Sequence, residues 1–220
     1  MAAGDIGATD IFSLGAGFNP QSSSDNNTRD ITEVLGANGD IACQNGFNTV
    51  VTAQAEYEVC GSVTLSITLG AVVGGYLVRS VELTHEAGQA PRVTVEGLAW
   101  TGNETVATRT YAISQAVNIA AVAGLIDTGL DANAEATSVT HRWECEITTA
   151  MGSNGQVAFA NSRTPKYTYE ESGTGTATSA PSNSSDSDLI IVNYENSDSN
   201  QEIDTYTASF TKKLTSTTSA

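Results

Sequence analysis

The residues of this chain best equipped for metal or nucleophilic chemistry are two histidines, His85 and His141, and three cysteines, Cys43, Cys60 and Cys145. His141, Trp143 and Cys145 occupy alternate positions of VTHRWECEIT, Val139–Thr148, so on a strand they share one face. An imidazole and a thiolate on one side of a strand could begin a tetrahedral zinc site, but such a site needs further ligands. Cys43 and Cys60 are the only other thiols, and neither shows CxxC spacing. The pattern reads as a packed core histidine beside a buried cysteine. His85 stands next to Glu86 at a strand end. The members of a Ser–His–acid site come from distant segments, so this pair alone does not define one. GxSxG is absent, and serine is too common here for any one to stand out. Asp198-x-Asn200-x-Glu202 has the oxygen-ligand spacing that opens some calcium loops. It lacks the glycine and the distal Glu, since Ile203 follows at once, and reads as a solvated turn. The glycosylation patterns at Asn26, Asn103 and Asn183 are chance matches in an Asn/Ser/Thr-rich chain. The expectation is a protein that is not an enzyme, with no catalytic residue, no cofactor and no metal.

These residues sit in a chain dominated by period-two alternation, the mark of strands with one buried face. The clearest stretch is Ser62–Trp100. Val63, Leu65, Ile67 and Leu69 fall on one face of a first strand. In the second strand, Leu77, Arg79, Val81 and Leu83 oppose Tyr76, Val78, Ser80 and Glu82. Glu86–Pro91 makes a turn, and Val93 and Val95 continue a third strand to Trp100, so the segment reads as the middle of an antiparallel sheet. Upstream, ITEVL (31–35), an Asn-Gly turn and Ile41–Cys43 signal a hairpin. Asn48–Cys60 is a long strand with Thr49, Val51, Ala53, Ala55, Tyr57 and Val59 inward. Downstream, strands are expected at Glu104–Ile113, Val139–Thr148, Gln156–Asn161, Thr164–Glu170, Leu189–Tyr194 and Ile203–Phe210. Gln115–Leu125, rich in alanine, is expected to form the single short helix. The fold class is all-β, an antiparallel sandwich or small barrel with one short helix, a long loop and extended terminal arms. Residues 1–29 form an N-terminal arm in which Ile11, Phe12, Leu14 and Phe18 are candidate assembly contacts. Such an arm docks on its own core or on a neighbour. Residues 30–213 make the β domain, with 171–188 a long polar loop, and 214–220 a C-terminal tail.

Composition bounds the partners. Twenty-five acidic against 9 basic residues give a net charge of −16 and an isoelectric point near 4.2. A surface this acidic repels phosphate backbones and anionic membranes. Charged residues are only 15% of the chain, against roughly a quarter in ordinary soluble domains. Depletion of charge fits both a Thr/Ser-rich β bias and a surface covered by neighbours. No apolar run has the length of a membrane span. The opening MAAGDIGATD has no basic or apolar signal region, so synthesis in the cytoplasm with reduced thiols is expected.

Three stretches, YLVRSVELTHEAGQAPRVTVEG, TSVTHRWECEITTAMGSNGQVAFA and NYENSDSNQEIDTYTASF, together resemble the major tail (tail tube) protein of long-tailed bacteriophages. They span much of residues 76–210. The resemblance implies a β-sandwich or small barrel with one packing helix. It also implies copies joined as rings, usually hexameric, that stack into a tube in the virion tail. Partners would be further copies and other tail proteins, and DNA would pass through an acidic lumen without specific binding. Asn48–Leu69 is the best candidate for the long amphipathic hairpin of the inner wall. A capsid decoration or other head protein, and a carbohydrate- or surface-binding β module, are the alternative expectations.

Overall fold

The computed structural model describes residues 9–37, 40–100, 105–107, 109–119, 122, 135–175, 190–197 and 205–214. In chain order the strands are β1 (Phe18–Leu35), β2 (Ile41–Val59), β3 (Val63–Leu69), β4 (Val72–Val73), β5 (Tyr76–Glu86) and β6 (Arg92–Trp100). They continue with β7 (Thr105–Ala107), β8 (Tyr111–Val117), β9 (Glu135–Met151), β10 (Val157–Thr174), β11 (Ile190–Ser197) and β12 (Thr205–Lys213). A large sheet runs β1-β2-β6-β5-β9-β10-β12-β11, with β4 added beside β5 and β7 parallel to β10. A two-stranded antiparallel ribbon, β3–β8, forms the second layer. The fold is therefore all-β, a sandwich of unequal layers.

Alternation explains the core. Ala53, Ala55 and Tyr57 of β2, Val81 and Leu83 of β5, Val93 and Val95 of β6, and Val139 and Trp143 of β9 are all buried. They share one cluster with Leu65, Ile67 and Leu69 of β3 and Tyr111, Ile113 and Val117 of β8. The opposite face of the large sheet is a lattice of charge. Arg79 pairs with Glu96 (3.1 Å), Arg92 with Glu56 (3.3 Å), and Arg142 with Glu82 (3.2 Å) and Glu144 (3.1 Å). These half-exposed pairs set register and solubility more than stability.

The structure corrects five expectations. β3 does not pair with β5; the turn at Cys60–Ser62, with Gly61 at φ 87°, carries the chain into the second layer. The long hairpin is therefore β1–β2, turning after Leu35, and not Asn48–Leu69, whose two halves lie in different sheets. In β5 the alternation breaks at Arg79. The register with β6 shifts between Val78 and Ser80, so Val78 is buried and Arg79 faces solvent. A bulge is the cheap way to keep a guanidinium out of the core. Glu104–Ile113 divides into β7 and β8, which belong to different sheets. The helix expected over Gln115–Leu125 is not formed where the chain is described. Gln115–Val117 close β8, paired with Leu65, Thr64 and Val63 of β3, and residues 120, 121 and 123–125 lie outside the described set. Pairing with an apolar ribbon overrides alanine's helix propensity. No helix occurs among the described residues.

β1 runs through residue 29 without interruption, and β10 extends to Thr174, into the stretch read as the 171–188 loop. Residues 176–188 and 215–220 lie outside the described set.

The N-terminal segment is part of the core. The Tyr57 hydroxyl donates to Asp10 Oδ1 (2.9 Å) and accepts from the Phe12 backbone N–H (3.1 Å). Phe12, 1% exposed, lies against Gly97 of β6, where a Cβ would come within 2.9 Å of its ring and of the Tyr76 Cβ. Only glycine leaves that seat open. Phe12→Ala should cost about 3–5 kcal/mol, and Gly97→Val should be comparably damaging; urea unfolding of both variants checks this.

Candidate assembly surface

Of the five residues whose chemistry stood out in the sequence, His141 and Cys145 are packed away. His141, Trp143 and Cys145 share the buried face of β9 as expected. His141 stacks on Trp143 with ring centroids 5.6 Å apart, and its Nδ1 shares a proton with the Tyr167 hydroxyl at 2.7 Å. Tyr169 closes a third side at 5.1 Å. Burial lowers the imidazole pKa to about 4, so the ring is neutral at pH 7. The Cys145 thiol, pushed up to about 11 chiefly by burial, donates weakly to the Arg79 carbonyl (3.5 Å). Neither is poised as a nucleophile or base. The pKa of His85 is also lowered by burial, and this residue pairs in register with Val139. Cys43 and Cys60 are exposed, and all three thiols are free. No group of metal-ligating side chains occurs among the described residues. The turn at Asp198–Glu202 lies outside them.

One buried polar cluster escaped the sequence reading. Glu171, 3% exposed, accepts hydrogen bonds from the hydroxyls of Tyr206 (2.7 Å) and Tyr169. Burial and the neighbouring carboxylate both raise the Tyr206 pKa, so this phenol stays a donor. The signal was present: Tyr167, Tyr169 and Glu171 continue one period-two face, and reading the strand one step further places the carboxylate inside. Two phenols on a buried carboxylate make a structural tie between β10 and β12.

Of the four apolar residues of the arm, Phe12 and Phe18 are inside the protein's own core, and Ile11 and Leu14 pack against it. Seven of the eleven exposed large apolar residues among the described ones lie elsewhere, at the two ends of the large sheet; the other four, Val72, Ile119, Met151 and Phe159, are scattered. At one end β6 stops pairing with β2 at Val50, which also faces Thr28 of β1. Beyond this point β1 and β2, among the described residues, pair only with each other, over a length of about 20 Å. Ile31 (57% exposed), Val34, Leu35 (64%) and Ile41 stand on this projecting hairpin. At the other end β11, among the described residues, pairs only with β12 and exposes Ile190 (67%), Ile191 and Val192 (62%).

No protein-family model matches the chain, and no curated protein matches it.

Two predictions test the buried groups. Because the folded His141 pKa of about 4 lies below the unfolded value near 6.5, its contribution is complete above pH 6.5 and falls as pH drops toward 4. The loss is about 3 kcal/mol at 1.36 kcal/mol per unit. His141→Gln, which stays neutral, should flatten the stability–pH profile in this window. Tyr206→Phe, which leaves a buried carboxylate oxygen short of a donor, should cost about 1–3 kcal/mol; chemical denaturation reads both.

Proposed function

We propose that this chain is a non-enzymatic structural subunit that assembles with copies of itself, in the manner of the tail tube proteins of long-tailed bacteriophages. Rings of subunits, hexameric by that resemblance, would stack into a conduit for DNA. The observation that carries this reading is the pair of open apolar features at opposite ends of one sheet: the β1–β2 hairpin and the β11 edge. An isolated two-stranded hairpin is marginal in water, so the projecting half of β1–β2 needs cover from outside the chain. An edge strand with three consecutive apolar residues is a template for strand addition. Two different surfaces at opposite ends favour head-to-tail contacts, which close into rings or continue as fibres.

The charge supports the same reading. A wall built from subunits of net charge −16 repels phosphates, so DNA passes without sticking. The sheet's pairing of Arg79, Arg92 and Arg142 with glutamates leaves that face unsuited to nucleic acid. A glycan-binding module would present aromatic rings to solvent. Here both tryptophans are buried, and Phe159 is the one aromatic among the exposed large hydrophobics of the described residues.

Full-length protein should form rings or tubes in negative-stain images and sediment as a large species. Leu35→Lys and Ile191→Lys should each leave monomers with unchanged unfolding midpoints. Wild-type protein that stays monomeric at high concentration would refute the proposal.

A further inference from the structure

The cations of this acidic chain are not evenly used. Of the nine, Arg79, Arg92, Arg142 and Lys166 are within ion-pair distance of glutamates, and Lys212 lies over the Tyr167 ring. Arg109, Arg163 and Lys213 instead line one groove where the start of β8, the middle of β10 and the end of β12 meet. The groove encloses about 760 Å³, and no acidic side chain lines it. None of the three cations makes an ion pair among the described residues. Arg163 does not do so even though Glu146 stands opposite it in register.

The groove is built, not incidental. β10 bulges between Arg163 and Lys166, and Thr164 there adopts φ 50°. A β-branched residue in the left-handed region is strained, and bulges re-aim the side chains beside them. The Arg109 backbone is pinned from two sides. Its carbonyl accepts from the buried Ser162 hydroxyl, and it abuts Gly70, where a Cβ would lie 2.4 Å from that oxygen. Asn161, also lining the groove, holds its Oδ1 buried without a hydrogen-bond partner.

The combination selects a class of ligand. Three cations call for carboxylate or phosphate oxygens. Acidic polypeptide is what this chain itself offers. Its projecting hairpin carries Asp30, Glu33 and Asp40 beyond Arg29, together with the apolar residues that need cover. We propose that the groove of one copy receives the β1–β2 hairpin of a second copy. The inference rests on the self-assembly reading above and assigns its socket.

The test uses full-length protein and two charge-reversed variants, each checked for wild-type thermal unfolding. One is Arg109→Glu/Arg163→Glu/Lys213→Glu in the groove, the other Asp30→Lys/Glu33→Lys/Asp40→Lys in the hairpin. Each alone should raise the concentration needed for assembly about tenfold or more. An equimolar mixture should co-assemble near the wild-type concentration, because each groove then meets a hairpin of opposite charge. Wild-type assembly with an unaffected groove variant would overturn the socket and leave self-assembly standing. A mixture that stays dispersed would overturn the hairpin as occupant. Binding of a labelled single-stranded oligonucleotide, or of inorganic phosphate, to the hairpin variant but not to the groove variant would replace the peptide by a phosphate ligand. Wild-type protein that never assembles would remove both proposals together.

Discussion

Every second side chain of the central strands must be kept from water, and among the described residues two strands are all that the second layer provides. That constraint organises the molecule. The ribbon β3–β8 covers Val81, Leu83, Val93 and Val95. The segment leading into β1, with the first residue of that strand, then has to seal what the ribbon does not reach. Phe12 and Phe18 do so, and the Tyr57 hydroxyl fixes the segment by bonding both Asp10 and the Phe12 N–H. Leucine-sized burial is worth a few kcal/mol per residue, so an anchor of two phenylalanines is a substantial fraction of a typical domain's stability. Of the two docking partners open to the arm, its own core and a neighbour, Phe12 and Phe18 take the chain's own core.

The alternating strands were legible because they obey a local rule. Val139, His141, Trp143 and Cys145 fall inside as their spacing requires, and so do Ala53, Ala55, Tyr57 and Val59. What was not legible depends on partners distant in sequence. Nothing local to SVTLSITL says that it pairs with Tyr111–Val117 and not with the strand that follows it. The stretch from Gln115 satisfies both periods, and where it is described, through Val117, pairing with β3 makes it a strand. Arg79 was a warning within the pattern, since an arginine on an inward face needs a partner or a bulge, and the chain uses a bulge. The groove of Arg109, Arg163 and Lys213 was invisible for a similar reason. Its three cations lie far apart in sequence, and scattered charges reveal a patch only after the strands are ordered.

Charge and apolar surface are also partitioned by place. The outer face of the central strands matches Arg79, Arg92 and Arg142 to glutamates. Of the eleven large apolar residues exposed among the described residues, seven lie on the projecting hairpin and at β11, the others being Val72, Ile119, Met151 and Phe159. A sheet arranged this way discourages stacking through its face and leaves its ends as the sticky parts. β1 moderates its own end. It carries Pro20, three register shifts along its length and a run of exposed polar residues, devices that limit indiscriminate strand pairing.

The distribution of the thiols gives the chain a built-in clock. Cys43 and Cys60 face solvent, whereas Cys145 is shut between the layers with its ionisation suppressed. An alkylating reagent therefore meets two groups at once and the third only when β9 parts from its neighbours. The rate at which that last sulfur is modified measures how often the two layers breathe open, without any label having to be added.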